Sequence, residues 1–382
     1  MDFEFSSDQE LLGDGVARLL ADHYDFERRK SYLAAGGWSR EMWSRYAKMG
    51  LLALPFAEED GGLGAGPVEL LIVMEAFGRH LVLEPYLASV VLAGGCIRYA
   101  GSAKLRAQII PAVIEGTRLL GFAHTERQAR YELSAVDTSA RLTAEGWVIN
   151  GSKHYVLQGD SADQLIVSAR IGGERREPEG IALFLVDAKA AGLQRRGYST
   201  QDGSRAADVH FSKVCVPEDA LIGEAGKAMP IIQRVVEDGI AAICAEAVGV
   251  MTRAHEITVD YMKVRKQFGV TIGSFQALQH RAVDMLVMVE QARSMAMYAA
   301  MMSREPDAAE RAAALSAAKV QVGRSGKFVG EQSVQLHGGI GVTEECQVGH
   351  YYRRLTMLDI LFGDSAHHLG ELARAGGRVG AA

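Results

Sequence analysis

Cysteine is scarce. Four residues, Cys96, Cys215, Cys244 and Cys346, lie far apart in a chain of 382 with no CxxC pair. That spacing excludes a disulfide framework and a zinc site, no metal ligand set is predicted elsewhere, and the pattern suits a reducing compartment. A basic excess is also missing. Lys and Arg number 41 against 47 Asp and Glu, a formal net charge of −6, which leaves no cationic face to displace phosphate counterions and speaks against nucleic acid. No apolar run reaches the ~18 residues of a membrane span. The longest candidate, 81–96, contains Glu84 and Pro85. The opening MDFEFSSDQELL is acidic and lacks a basic n-region or an Arg-rich face, so no leader and a cytoplasmic location are expected. Repeats and low-complexity segments are absent.

What is present changes texture twice. Residues 1–117 read as helices. Leu11, Leu12, Val16, Leu19 and Leu20 recur at helical spacing over 9–23, with Ser7 and Asp8 as candidate caps. A second helix is expected over 66–79, and the glycine-rich PFAEEDGGLGAGP before it reads as a loop. Over 118–226 the period becomes strand-like, with short segments at 119–124, 139–143, 147–157, 164–169, 181–186 and 207–211 and turn signals between them. A small β-barrel or sandwich is the natural packing. From 227 to 382 strands vanish and helices are predicted at 227–253, 254–266, 274–303 and 307–337. In the third, Phe275, Leu278, Ala282, Met285, Val289 and Ala292 form the stripe of an antiparallel bundle. The fold class is therefore α+β, mainly α: a helical N-terminal domain, a middle β domain and a C-terminal four-helix bundle.

Three stretches carry chemical information: RKQFG at 265–269, QLHGGIGVTEE at 335–345 and NGSKHYVLQGDSAD at 150–163. Gly338, Gly339 and Gly341 let the backbone approach something bulky and polar. A guanidinium with nearby exposed N–H groups suits a pyrophosphate. The same glycines equally suit a helix C-cap and turn.

In this order and spacing, together with SSDQELL, EDGGLG, GFAHTE and VCVPEDALIG, these stretches resemble the acyl-CoA dehydrogenase family along essentially the whole chain. The resemblance implies FAD as cofactor, an acyl-CoA thioester as substrate and an electron-transfer flavoprotein as acceptor. It places Arg265, Gln267, Phe268, Gln276, Gln335, Gly338 and Gly339 near the flavin's pyrophosphate and adenine across a subunit interface. It places Phe122, His124, Thr125 and Tyr155 along the isoalloxazine ring. Two departures stand out. RQARYEL (127–133) replaces a proline- and glycine-rich turn, and Leu157 stands where the family has a ring-contacting Thr. Both losses imply an incomplete flavin face on this chain's own middle domain.

A third departure concerns the base. The family's reaction removes an α-proton from the acyl group while a β-hydride passes to the flavin, and a desolvated carboxylate is the appropriate base. Most members place this Glu before a Gly beyond the glycine turn, and here that position is Phe362, followed by Gly363. A minority place it on the helix that opens the bundle, where this chain has Gly239, followed by Ile240 in place of a common Arg. Neither position carries a carboxylate. Glu237 is a weak substitute and Asp238 a further one. Asp364 is expected to cap the last helix, Glu246 to pair with an Arg, and His367 and His368 to be exposed or at an interface. The resemblance extends to base-lacking subunits of bacterial α2β2 heterotetramers that act on bulky or unusual acyl-CoA esters, such as steroid side chains and dicarboxylates. Such a subunit would leave FAD mainly to a base-containing paralogous partner. A self-sufficient homotetramer with a displaced carboxylate, and a flavin-free structural subunit, are the alternatives.

Overall fold

A computed structural model describes residues 5–376. Six α-helices open the described residues: α1 (Ser7–His23), α2 (Phe26–Ala34), α3 (Arg40–Lys48), α4 (Pro67–His80), α5 (Gly94–Ala100), entered through a π-helical stretch at Tyr86–Ala93, and α6 (Ala103–Ile114). Eight strands follow: β1 (Leu120–Ala123), β2 (Ser139–Thr143), β3 (Gly146–Leu157), β4 (Gln164–Arg170), β5 (Ile181–Asp187), β6 (Leu193–Ser199), β7 (Arg205–Val216) and β8 (Leu221–Ile222). Then come α7 (Met229–Val264), a hairpin of β9 (Lys266–Gln267) and β10 (Val270–Thr271), and α8 (Gln276–Met302), α9 (Ala308–His337), α10 (Gln347–Ile360) and α11 (Ser365–Arg374). None of the described helices is long and apolar enough to cross a membrane.

The chain divides into two compact units. One contains Leu33–Gly66 and Leu83–Gly239, and its centre is the sheet, ordered β6-β7-β3-β2-β4-β5-β8 with β1 parallel to β4. The path is open. The expected barrel does not close, because β6 and the two-residue β8 pair on one side only. Trp147 against Phe184, with ring centroids 5.1 Å apart, joins Ile149, Val167 and Phe211 in the sheet's core. β6, LQRRGYS, was not expected as a strand. Its two arginines mark an edge, where charge blocks pairing with other chains.

The other unit contains the residues up to Tyr32, Pro67–Val82 and those from Ile240 onward. Ser6, rather than Ser7 or Asp8, caps α1 through a reciprocal box: the Gln9 N–H donates to Ser6 Oγ (3.3 Å) and the Ser6 N–H to Gln9 Oε1 (3.0 Å). α7 is one helix of 36 residues, without the expected break near 253. Small apolar residues give way to polar ones there because the helix leaves the core while its hydrogen bonding continues. Asp364 caps α11 by accepting from the His367 N–H at 2.8 Å.

α4 and α7 cross closely at two glycines. A Cβ on Gly249 would run into the Glu75 carbonyl oxygen, and one on Gly78 into that of Glu246. Gly249→Ala should therefore cost about 1–3 kcal/mol in urea unfolding, the usual price of overpacking. Gly172→Ala, where a Cβ meets nothing within 4 Å, should be close to neutral. Equal stabilities of the two variants would contradict this crossing.

Candidate flavin and acyl-CoA site

In the sheet-containing unit, β1 and β4 run parallel in the register Phe122↔Ile166 and Ala123↔Val167. Ala123 and Val167 face the core, so strand alternation sends Phe122 and His124 to the opposite side. Their rings stand parallel with centroids 5.5 Å apart. Beneath them lies a buried ion pair that the sequence reading missed. Lys153 Nζ, fully buried, donates to Glu126 Oε1 (2.7 Å), Ser168 Oγ (2.9 Å) and the His124 carbonyl oxygen (3.1 Å). Burial pulls the ammonium down to about 8, against the opposing pull of Glu126. Burial pushes the Glu126 carboxyl up, but the Lys153 charge and hydrogen bonds outweigh it and hold the group at about 2. The available signal was a lysine in the middle of a strand, flanked by Val148, Ile149 and Val156, and a glutamate at the end of GFAHTE.

Glu126 also clasps the divergent loop after β1, accepting from the backbone N–H groups of Asp137 (2.8 Å) and Thr138 (2.9 Å). Thr125 is exposed, and its carbonyl accepts from the His154 N–H at 2.8 Å. Tyr155 sits where the β3–β7 register shifts between Lys153 and Val156, with φ +53°. Leu157 is half-buried and paired with Ala206.

In the helical unit, α7 ends just before Arg265, which is exposed. Gln267 lies on β9. Phe268 heads the hairpin at φ +54°, 92% exposed and edge-on to Phe275 at 6.3 Å. Gln276 begins α8 and is exposed. Tyr261, one turn before Arg265, stacks on His337 with centroids 4.3 Å apart. That contact brings the end of α7 to the end of α9, where Gly338 turns the chain at φ +64°. A Cβ on Gly338 or Gly339 would meet nothing within 4 Å, so this backbone is open to a ligand. Gln335 is exposed one turn earlier and lines an open groove of about 670 Å³ with Arg281, Glu331, Gln332, Val334 and Tyr352. In the helical unit an exposed guanidinium and open glycine backbone are groups that fit a pyrophosphate, and in the sheet-containing unit the Phe122–His124 face is one that fits an aromatic ring. The residues present therefore suit FAD.

Neither base position gains a carboxylate from the fold. Phe362 occupies the turn between α10 and α11 at φ +59°, a strained state for an aromatic residue. His368, expected to be exposed or at an interface, is buried instead. Its Nε2 lies 3.1 Å from the Phe362 carbonyl oxygen and its Nδ1 3.0 Å from Ser316 Oγ, so it latches the turn to α9. Gly239 is buried within α7. Asp238 accepts from Arg98 Nη2 and Tyr99 Oη, each at 2.7 Å, and lies 3.7 Å from Arg234 Nε. Those partners make it an anchor rather than a base. Glu237 is buried and accepts from Gln233 Nε2 at 3.3 Å. Glu246 pairs with Arg354 at 2.6 Å, as the sequence predicts.

Comparison with known proteins agrees with this geometry. The chain matches the acyl-CoA dehydrogenase N-terminal domain over 6–117, the middle domain over 121–214 and the C-terminal domain over 228–377. It is 27% identical over 374 residues to the probable acyl-CoA dehydrogenase YngJ of Bacillus subtilis, covering 96% of this chain and 97% of that one. The ChsE4–ChsE5 complex of Mycobacterium tuberculosis superposes with TM-score 0.88 at 25% identity, covering all of both chains. The Tcur3481–Tcur3483 steroid ACAD gives 0.86 at 27% identity, covering 97% of this chain and 98% of that one. The protein belongs to the acyl-CoA dehydrogenase family. It is thus an oxidoreductase of that three-domain fold, with FAD as cofactor.

Proposed function

We propose that this chain is the base-lacking subunit of a heteromeric acyl-CoA dehydrogenase, with domains at 1–117, 118–226 and 227–382. The observation that carries the reading is the pair of empty base positions: Phe362 in a latched turn and Gly239 inside a helix. FAD, when bound, supplies the hydride acceptor. Arg265, Gln267, Phe268, Gln276, Gln335, Gly338 and Gly339 would hold the pyrophosphate and adenine of a flavin seated on the partner, a base-containing paralogue whose carboxylate takes the α-proton. An α2β2 assembly acting on a bulky acyl-CoA, with an electron-transfer flavoprotein as acceptor, fits this division of labour. Similarity to a two-name complex and to a steroid enzyme supports it.

The displaced-base alternative rests on Glu237, and one substitution separates the readings. In the purified enzyme, Glu237→Gln should leave acyl-CoA dehydrogenation within about twofold of the parent. A loss of about 100-fold or more, typical for removal of a general base, would overturn the proposal.

A further inference from the structure

Arg234 and the side chains that hold it play no part in flavin binding or in the search for a base. All belong to the sheet-containing unit, where the start of α7 meets α5. Arg234 Nε donates to Tyr99 Oη at 3.2 Å and lies 3.7 Å from Asp238 Oδ1. Its guanidinium carbon stands 5.5 Å from the centroid of the Tyr99 ring, and that of Arg98 stands 4.4 Å from it. Behind this edge the other groups are committed. Arg98 Nη1 donates to the Pro55 carbonyl oxygen (2.9 Å), and its Nη2 donates to Asp238 Oδ2 and Tyr99 Oη (both 2.7 Å). A guanidinium cannot accept, so the Tyr99 hydroxyl hydrogen goes to Asp238 Oδ2 at 2.7 Å and its oxygen accepts from both arginines. Burial and the Asp238 charge hold the phenol above its ordinary value, so the hydroxyl keeps that hydrogen.

What remains is the outer fork of Arg234. Nη1 and Nη2 have no acceptor among the described residues, and the side chain is 22% exposed. Burial opposes the charge, but the Tyr99 hydroxyl, Asp238 and Glu237 outweigh it and hold the guanidinium above its ordinary value. A planar fork of parallel N–H groups matches two oxygens of an oxyanion. Gripping an anion normally takes rotamer freedom from a long side chain. Here the Tyr99 hydroxyl and ring already fix the guanidinium, so folding has removed much of that freedom before any anion arrives.

We propose that Arg234 anchors an oxyanion site on the surface where α5 meets α7, taking a phosphate group through its free fork. Arg234 is then a binding residue, and Tyr99, Asp238 and Arg98 position it. The choice of phosphate rests on the acyl-CoA reading, because a CoA thioester carries phosphate groups. Free phosphate or pyrophosphate offers the same chemistry. Neither a flavin nor a base on this chain is needed.

The test uses the full chain with inorganic pyrophosphate as the probe, followed by its 31P NMR line. The line should broaden with the parent, and the dissociation constant should rise about tenfold in Arg234→Gln, the value of one charge-assisted hydrogen bond. Tyr99→Phe keeps the ring but removes the hydroxyl that aims the fork, and should weaken binding about threefold. Lys104→Gln, which alters an exposed ion pair with Asp219, should leave the affinity unchanged. Displacement of the probe by coenzyme A assigns the occupant to a thioester, and no displacement assigns it to free phosphate or pyrophosphate; both keep the site. Parental affinity in Arg234→Gln would overturn the proposal, as would equal weakening in Lys104→Gln, which would mean diffuse charge only. No broadening with the parent would overturn it too, while leaving the acyl-CoA reading intact, because turnover tests that reading.

Discussion

Lowering the pH from 6.5 to 3 should remove several kcal/mol of stability, with two buried histidines responsible for much of it. Burial, helped by the Lys153 charge, depresses His124 to about 3; burial, helped by Lys319 and His367, depresses His368 to about 4. An unfolded histidine protonates near 6.5. Between those values the unfolded chain binds more protons than the folded one, so stability rises with pH. The contribution is complete above 6.5 and is lost as pH falls toward 4 for His368 and 3 for His124. Glu126 adds the same sign lower down, between 4.5 and about 2. Each histidine contributes a slope of up to about 1.4 kcal/mol per pH unit. Urea unfolding at a series of pH values should show that slope between about 6 and 4. His124→Gln should reduce it by about one histidine's share, whatever the variant's absolute stability. An unchanged slope would mean that the folded protein protonates His124 freely.

Glu246→Gln should destabilise the helical unit by about 3–5 kcal/mol, because it removes the buried negative charge that pairs with the Arg354 guanidinium. The Glu246 and Arg354 side chains are 4% and 15% exposed, and the carboxylate accepts from Arg354 Nε at 2.6 Å. The backbone of Glu246 is where Gly78 lets α4 press against α7, so little freedom exists to relax. Replacing both partners with leucine should recover much of the loss, since an apolar pair removes the desolvation cost from both sides. Thermal and urea unfolding of the single and double variants measure this. A single variant within 1 kcal/mol of the parent would show that Arg354 finds water.

Much of the architecture was legible because periodicity and turn chemistry agree locally. The expected stripe is buried on α8 at Ala282, Met285, Val289 and Ala292, while Leu278 is half-buried and Phe275 is exposed just before the helix, and a Glu-Gly pair at 145–146 makes the β2–β3 turn. Where reading failed, the physics is specific. The continuity of α7 is invisible because leaving the core changes composition without ending a helix. β6 is hidden because an edge strand carries charge. His368 looks like a surface residue in LFGDSAHH, and only the fold shows that Ser316 and the Phe362 carbonyl enclose it. The relay under His124 draws on β1, β3, β4 and the loop after β1, so no local window contains it. Positions 362 and 239 were the reverse case. An absent carboxylate at 362 and 239 is plain in the sequence, and the structure adds the latch and the helix that keep those positions as they are.

The most direct test of the central claim is acyl-CoA dehydrogenation, with native mass, for the chain alone and co-expressed with a base-containing paralogue. The account predicts no turnover by this chain alone. It predicts a mixed tetramer whose activity disappears when the partner's base is changed from Glu to Gln and whose flavin is lost when Arg265→Ala is introduced here. A homotetramer of this chain that dehydrogenates acyl-CoA at the rate of the mixed assembly would contradict it.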